Sequence, residues 1–250
     1  MKSMKTLEHT FHIIRQNNLI IVPVFFHVIL VQTLFSYATG VMGLGLDPQL
    51  ALQSMATVIP KFLSLTLILG ALFLIIDSFF TSMTLSMVFE AWKKGRTKLD
   101  LSHGTKFFAK ILAARLIYGI FALLIAAVLF FPIALFSTST ILGILLTGAV
   151  VLIMAVFFFS FLWLNESIVT KGISANTAFP RSMRTSFKNK SLTLTTILFI
   201  LTFYIVAQSV VNIFALSGQV FLIALVGLLV SIFLKALVSI LKMVSFLQAK

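Results

Sequence analysis

The chain has 250 residues, of which 60% are hydrophobic and 10% charged, with a mean hydropathy of +1.14. Soluble domains carry about 25% charged residues, and a water-exposed globule of this composition has no way to hide its apolar surface. The formal net charge of +13 does not indicate nucleic acid, because the bases lie between apolar runs, where they meet anionic head groups; with no cysteine, disulfides and Cys-ligated zinc or iron–sulfur clusters are excluded.

A transmembrane helix needs about twenty apolar residues to cross roughly 30 Å of hydrocarbon. The first sixteen residues are basic and polar, and the apolar run after them has no small-residue cleavage site, so it is read as a retained span. That first span covers 19–37, before Gly40, Gly43, Gly45 and Pro48 loosen the chain. The second covers 61–90 and ends in Glu90, Trp92, Lys93, Lys94, Arg96 and Lys98, an aromatic and basic anchor. Arg115 and Glu166 then bracket fifty residues with no formal charge, too many for one helix. Pro132 and the Ser/Thr cluster within 131–140 suit a turn, which gives spans at 110–132 and 140–165. Between Lys190 and Lys235 lie forty-four uncharged residues, and Ser217, Gly218 and Gln219 divide them into spans at 192–214 and 220–242. These runs do not alternate in polarity, so helices and not a barrel are expected.

The basic residues set the topology. Lys2, Lys5 and Arg15 precede the first span; Lys93, Lys94, Arg96, Lys98, Lys106 and Lys110 separate the second from the third. Lys171, Arg181, Arg184, Lys188 and Lys190 separate the fourth from the fifth; Lys242 and Lys250 end the chain, and only Lys61 falls on the other side. The positive-inside rule places both termini in the cytoplasm, which requires an even number of spans. The expected fold class is all-α: a single polytopic transmembrane bundle of six spans in the cell membrane, with short amphipathic interfacial helices on the cytoplasmic side.

Those amphipathic segments suggest a threefold repeat of interfacial helix plus hairpin. Leu7, Phe11 and Ile14 recur at helical spacing in the first, and Phe179, Met183 and Phe187 in the last. In the middle one, Asp100 or Ser102 caps a helix containing Phe108, Ile111 and Leu112. The stretch Phe11–Leu19 is similar to Ser186–Leu192, and Glu90 precedes Gly95 much as Glu166 precedes Gly172. The plainer reading of each stripe is a helix half-buried against its own bundle. Together, Glu166–Gly172 and Phe179–Lys190 resemble the six-span prokaryotic integral membrane families that include the membrane domain fused to some glycerophosphoryl diester phosphodiesterases. The resemblance implies a fold and a membrane address; the phosphodiesterase chemistry of such fusions belongs to a separate soluble domain.

Asp77 is the sharpest candidate for function, because a carboxylate inside a span is stable only when paired, protonated or facing a wet cavity. Ser78, Thr81 and Ser82 continue a polar strip along its helix, with Ser86 near the edge, and Arg115, Lys235 and Asn212 are possible partners on other spans. The strip suits either a polar path for an ion or proton, or a salt bridge that fixes helix packing. Glu90 and Glu166 are expected at the cytoplasmic surface, paired with local bases. His27 is the sole histidine inside a span, while His9, His12 and His103 lie outside. No metal, cofactor or catalytic residue is expected, since no H-E-x-x-H, phosphate loop or dinucleotide fingerprint occurs. The leading expectation is a non-enzymatic integral membrane protein serving as an assembly, regulatory or lipid-interacting subunit, in contact with anionic head groups and with a membrane protein partner. The alternative is a small permease, or the membrane subunit of a transporter, with Asp77 in a polar cavity. A lipid-modifying enzyme would need more clustered acids than this chain holds.

Overall fold

The computed structural model describes residues 2–43, 55–136, 140–215 and 220–249. Helices account for nearly all of them: α1 (Lys2–Gln16), α2 (Ile21–Gly43), α3 (Met55–Lys94), α4 (Ser102–Phe136), α5 (Thr140–Phe161), α6 (Leu164–Lys171), α7 (Ala175–Lys188), α8 (Lys190–Ala215) and α9 (Val220–Gln248). Long runs of Leu, Ile, Phe and Ala satisfy their backbone groups internally only as helices. Helix α4 continues through Pro132 to Phe136, past the start of the turn expected over 131–140. The expected turn at Ser217–Gln219 falls outside the described residues. The segment with Phe108, Ile111 and Leu112 is continuous with α4 and forms no separate helix.

Helix ends follow their local chemistry. Gly95 and Gly172 take positive φ (75° and 66°), and their amides close on Ala91 and Ile168 carbonyls at 2.8 and 2.7 Å, ending α3 and α6. The Asp100 carboxylate accepts the Ser102 amide at 2.9 Å and thereby starts α4; the Ser102 hydroxyl and amide together hold its carboxyl below the usual range.

Two breaks are alike. Asn17 (φ −134°, ψ 60°) separates α1 from the short 3-10 turn before α2, where the chain bends by 91°, and Asn189 (φ −114°, ψ 49°) separates α7 from α8. Asn17 donates to the Gly95 carbonyl at 3.3 Å and accepts from the Thr97 amide at 2.9 Å; Asn189 donates to the Ala249 carbonyl at 3.0 Å. With Lys110 donating to the Gly172 carbonyl, these bonds gather the basic segments at one end of the bundle, called here the basic end. The main core also lies there: Met83, Met87, Val88, Ile111, Ile168, Ile240 and Met243 are buried together, with α6 covered by α3, α4, α7 and α9.

Both amphipathic helices turn small or polar residues inward. On α1 the buried side chains are Thr6, Thr10 and Ile13, while Phe11 is exposed; on α7 they are Ala175, Ala178, Ser182 and Ser186, while Met183 and Phe187 are exposed. Within the apolar stripes, Ile14 and Phe179 are half-buried against the core, while Phe11, Met183 and Phe187 are exposed. Small residues allow the helix backbone to approach its neighbours closely, and the large apolar residues are left at its edge.

Away from the basic end the bundle is sheathed in exposed apolar side chains, among them Leu72, Leu123, Val151, Leu201, Ile205 and Leu229. Among the described residues, five helices are long and apolar enough to cross a membrane, and a sixth span is counted if the bent pair Lys5–Gln16 and Asn18–Leu34 is taken as one.

Candidate functional site

On three helices the exposed apolar run ends close to a charged residue. Going toward the basic end, the last strongly exposed apolar residue on α3 is Ile75 (45%), two positions before Asp77; on α9 it is Phe233 (55%), two before Lys235. In α4 the sheath begins at Leu116 (46%), immediately after Arg115, whereas on α2 Leu19, Phe25 and Phe26 stay exposed on the basic-end side of His27. Four helices thus each bring one polar residue to a single cluster.

Asp77 is the hub. Its Oδ2 accepts from Arg115 Nη1, and its Oδ1 lies 2.9 Å from His27 Nε2 and 3.4 Å from Lys235 Nζ. Arg115 Nη2 donates to Thr81 Oγ1 at 2.8 Å, one turn along α3. Lys235 Nζ also lies 3.0 Å from His27 Nε2. A single ring nitrogen either donates to the carboxylate or accepts from the ammonium, so those two contacts are alternatives governed by one proton. His27 is buried and stacked on Phe80, with centroids 5.5 Å apart. One acid thus faces two basic side chains besides His27.

The sequence candidates divide accordingly. Asp77, Arg115 and Lys235 meet. Asn212 does not join them: it is exposed and accepts from Gln208, one turn earlier on α8, at 3.0 Å. His27 is the member that the sequence reading left outside; its one signal was being the only histidine within a span. The polar strip below Asp77 ties α3 to α4, since Ser82 Oγ donates to the His103 carbonyl at 3.0 Å and accepts the Phe107 amide at 3.2 Å. Glu90 is surface-paired, with Lys94 at 2.8 Å and His103 at 3.2 Å. Glu166, expected at the surface, is 1% exposed and paired with Lys242 at 3.2 Å, because α6 is covered on all sides.

Among the described residues, fold and site together define an all-helical protein with five or six apolar helices of membrane-spanning length and a charged knot that joins α2, α3, α4 and α9. Over residues 1–249 the chain matches the family described as a domain of unknown function, DUF7847, and it belongs to that family. Neither a curated protein nor a solved structure matches it.

Proposed function

We propose that this is a multi-pass protein of the cell membrane, with both termini cytoplasmic, acting as a non-enzymatic assembly, regulatory or lipid-interacting subunit. The observation that carries the reading is the engagement of Asp77 by side chains from three other helices. A carboxylate so occupied clamps helices together, which is the commonest use of polar groups between membrane helices. The exposed Phe11, Met183 and Phe187 on the amphipathic helices support contact with lipid at the basic end, and a membrane protein partner would meet the chain on its apolar sheath. The short-motif likeness to phosphodiesterase-fused membrane domains agrees with such an auxiliary role.

A second reading, a small permease, is favoured by one feature: the Lys235 side chain is 36% exposed, so the cluster has an open flank. Purified protein in liposomes carrying a trapped pH dye separates the two. The packing role expects no dissipation of a proton gradient beyond empty liposomes, and a reduced folded yield for Asp77→Asn. Proton flux that Asp77→Asn abolishes at unchanged yield would favour the permease.

A further inference from the structure

At the basic end, α7 and the last turn of α9 enclose a groove of about 770 Å³, remote from Asp77 in sequence and lined by Lys171, Arg181, Arg184, Lys188, Asn189 and Phe246 among others. Arg181, Arg184 and Lys188 recur at positions i, i+3 and i+7, so they form one edge of α7. Among the described residues none of the four cations has an ion pair, and Arg181 Nε is buried without a hydrogen-bond partner. Three of the acids, Asp77, Glu90 and Glu166, serve other bases. Four like charges around one concavity repel each other unless an anion neutralises them.

Helix α7 has three distinct edges. Ala178, Ser182 and Ser186 face the bundle, Met183 and Phe187 are exposed, and the cationic edge lies beyond them. An apolar edge beside a cationic one matches the boundary between acyl chains and phosphates. We propose that this groove is a phosphate site for the head group of an anionic phospholipid, with Arg181 and Arg184 as bidentate donors and Lys188 and Lys171 as point charges. The assignment rests on the membrane-embedded reading above. The lipid is favoured over a soluble phosphate because the exposed Met183 and Phe187 give its chains an adjoining apolar surface.

Native mass spectrometry of the full chain, purified in neutral detergent, tests this with dioleoyl phosphatidylglycerol, dioleoyl phosphatidylcholine and inorganic pyrophosphate as probes. Wild type should retain phosphatidylglycerol in preference to phosphatidylcholine. The R184Q/K188Q variant, which changes two exposed side chains, should bind phosphatidylglycerol about thirtyfold more weakly, as expected for two bases near an anionic surface. The R96Q/K98Q control removes the same charge from the loop after α3 and should stay within about twofold, since that loop does not line the groove. Equal losses in both variants, or no preference for phosphatidylglycerol by wild type, would overturn the site. Pyrophosphate displacing the lipid at comparable concentration would overturn the lipid assignment in favour of a soluble polyphosphate. Should R184Q/K188Q fail to fold, R184Q alone takes its place, with an expected loss of about fivefold against the same control. Failure of the underlying membrane reading would look different: the chain would stay soluble and monomeric without detergent.

Discussion

Replacing Asp77 by Asn keeps the shape of the side chain and removes its charge. Arg115 and Lys235 then face each other, with His27 alongside, and no acid between them. Breaking a buried ion pair by removing one partner costs about 3–5 kcal/mol. The setting here is partly open, with Asp77 17% and Arg115 18% exposed, and Lys235, at 36%, contributes no more than a surface pair. A loss of about 2–4 kcal/mol is expected, a large share of a typical total of about 5–15 kcal/mol. For a chain of this length that corresponds to a fall in melting temperature on the order of 10 °C. Thermal melts of detergent-purified protein, followed by size-exclusion chromatography, measure it. The double-mutant cycle with Arg115→Gln sharpens the test: the double variant should recover at least about 1 kcal/mol relative to the sum of the singles, because removing both partners leaves fewer unneutralised charges. A melt of Asp77→Asn within about 2 °C of wild type, together with additive singles, would refute a clamping role.

Other perturbations probe the packing at the basic end. A Cβ on Gly104 would collide with the Phe79 ring, so Gly104→Ala should lose about 1–3 kcal/mol, read in the same melts, whereas Gly119→Ala, with open space around it, should not destabilise. Asn17→Ala leaves the buried Thr97 amide without its acceptor and should lose about 1–3 kcal/mol, with faster hydrogen exchange confined to residues 95–98. A reporter fused after Lys250 should be active only as a cytoplasmic fusion; activity of an exterior reporter instead would contradict an even number of spans with both termini inside.

What the sequence revealed and concealed follows from how each residue signals. Asp77, Arg115 and Lys235 are legible because a formal charge beside Ile76, Leu116 or Leu234 interrupts an apolar run. His27 carries no such signal, since a neutral imidazole among Phe and Val resembles any half-apolar residue, and only the convergence of α2 on α3 and α9 gives it partners. Asn212 misled because an amide in a span looks in need of a distant partner; Gln208, four positions earlier, already satisfies it. The apolar stripe Phe179, Met183 and Phe187 was visible, but not that Phe179 packs on the core while Met183 and Phe187 are exposed. Hydrophobic spacing shows that a helix has an apolar edge; whether that edge meets protein or faces outward depends on the small residues Ala178, Ser182 and Ser186, which allow close approach on the other side. Pro132 suggested a turn, yet a proline removes only one donor, and α4 continues past it.

The depth of the Asp77 cluster is open to direct measurement, because the chain contains no cysteine and accepts single spin labels. Leu225, Leu229 and Phe233 are exposed at successive turns of α9, and Phe233 sits just above Lys235. Spin labels at those three positions in lipid bilayers, compared for oxygen and nickel-chelate accessibility, should deepen steadily from 233 to 225 by about 12 Å, from near the phosphates toward the bilayer centre. Equal nickel-chelate accessibility at all three, or a label at 233 as deep as one at 225, would contradict the placement of the Asp77 knot at the edge of the hydrocarbon.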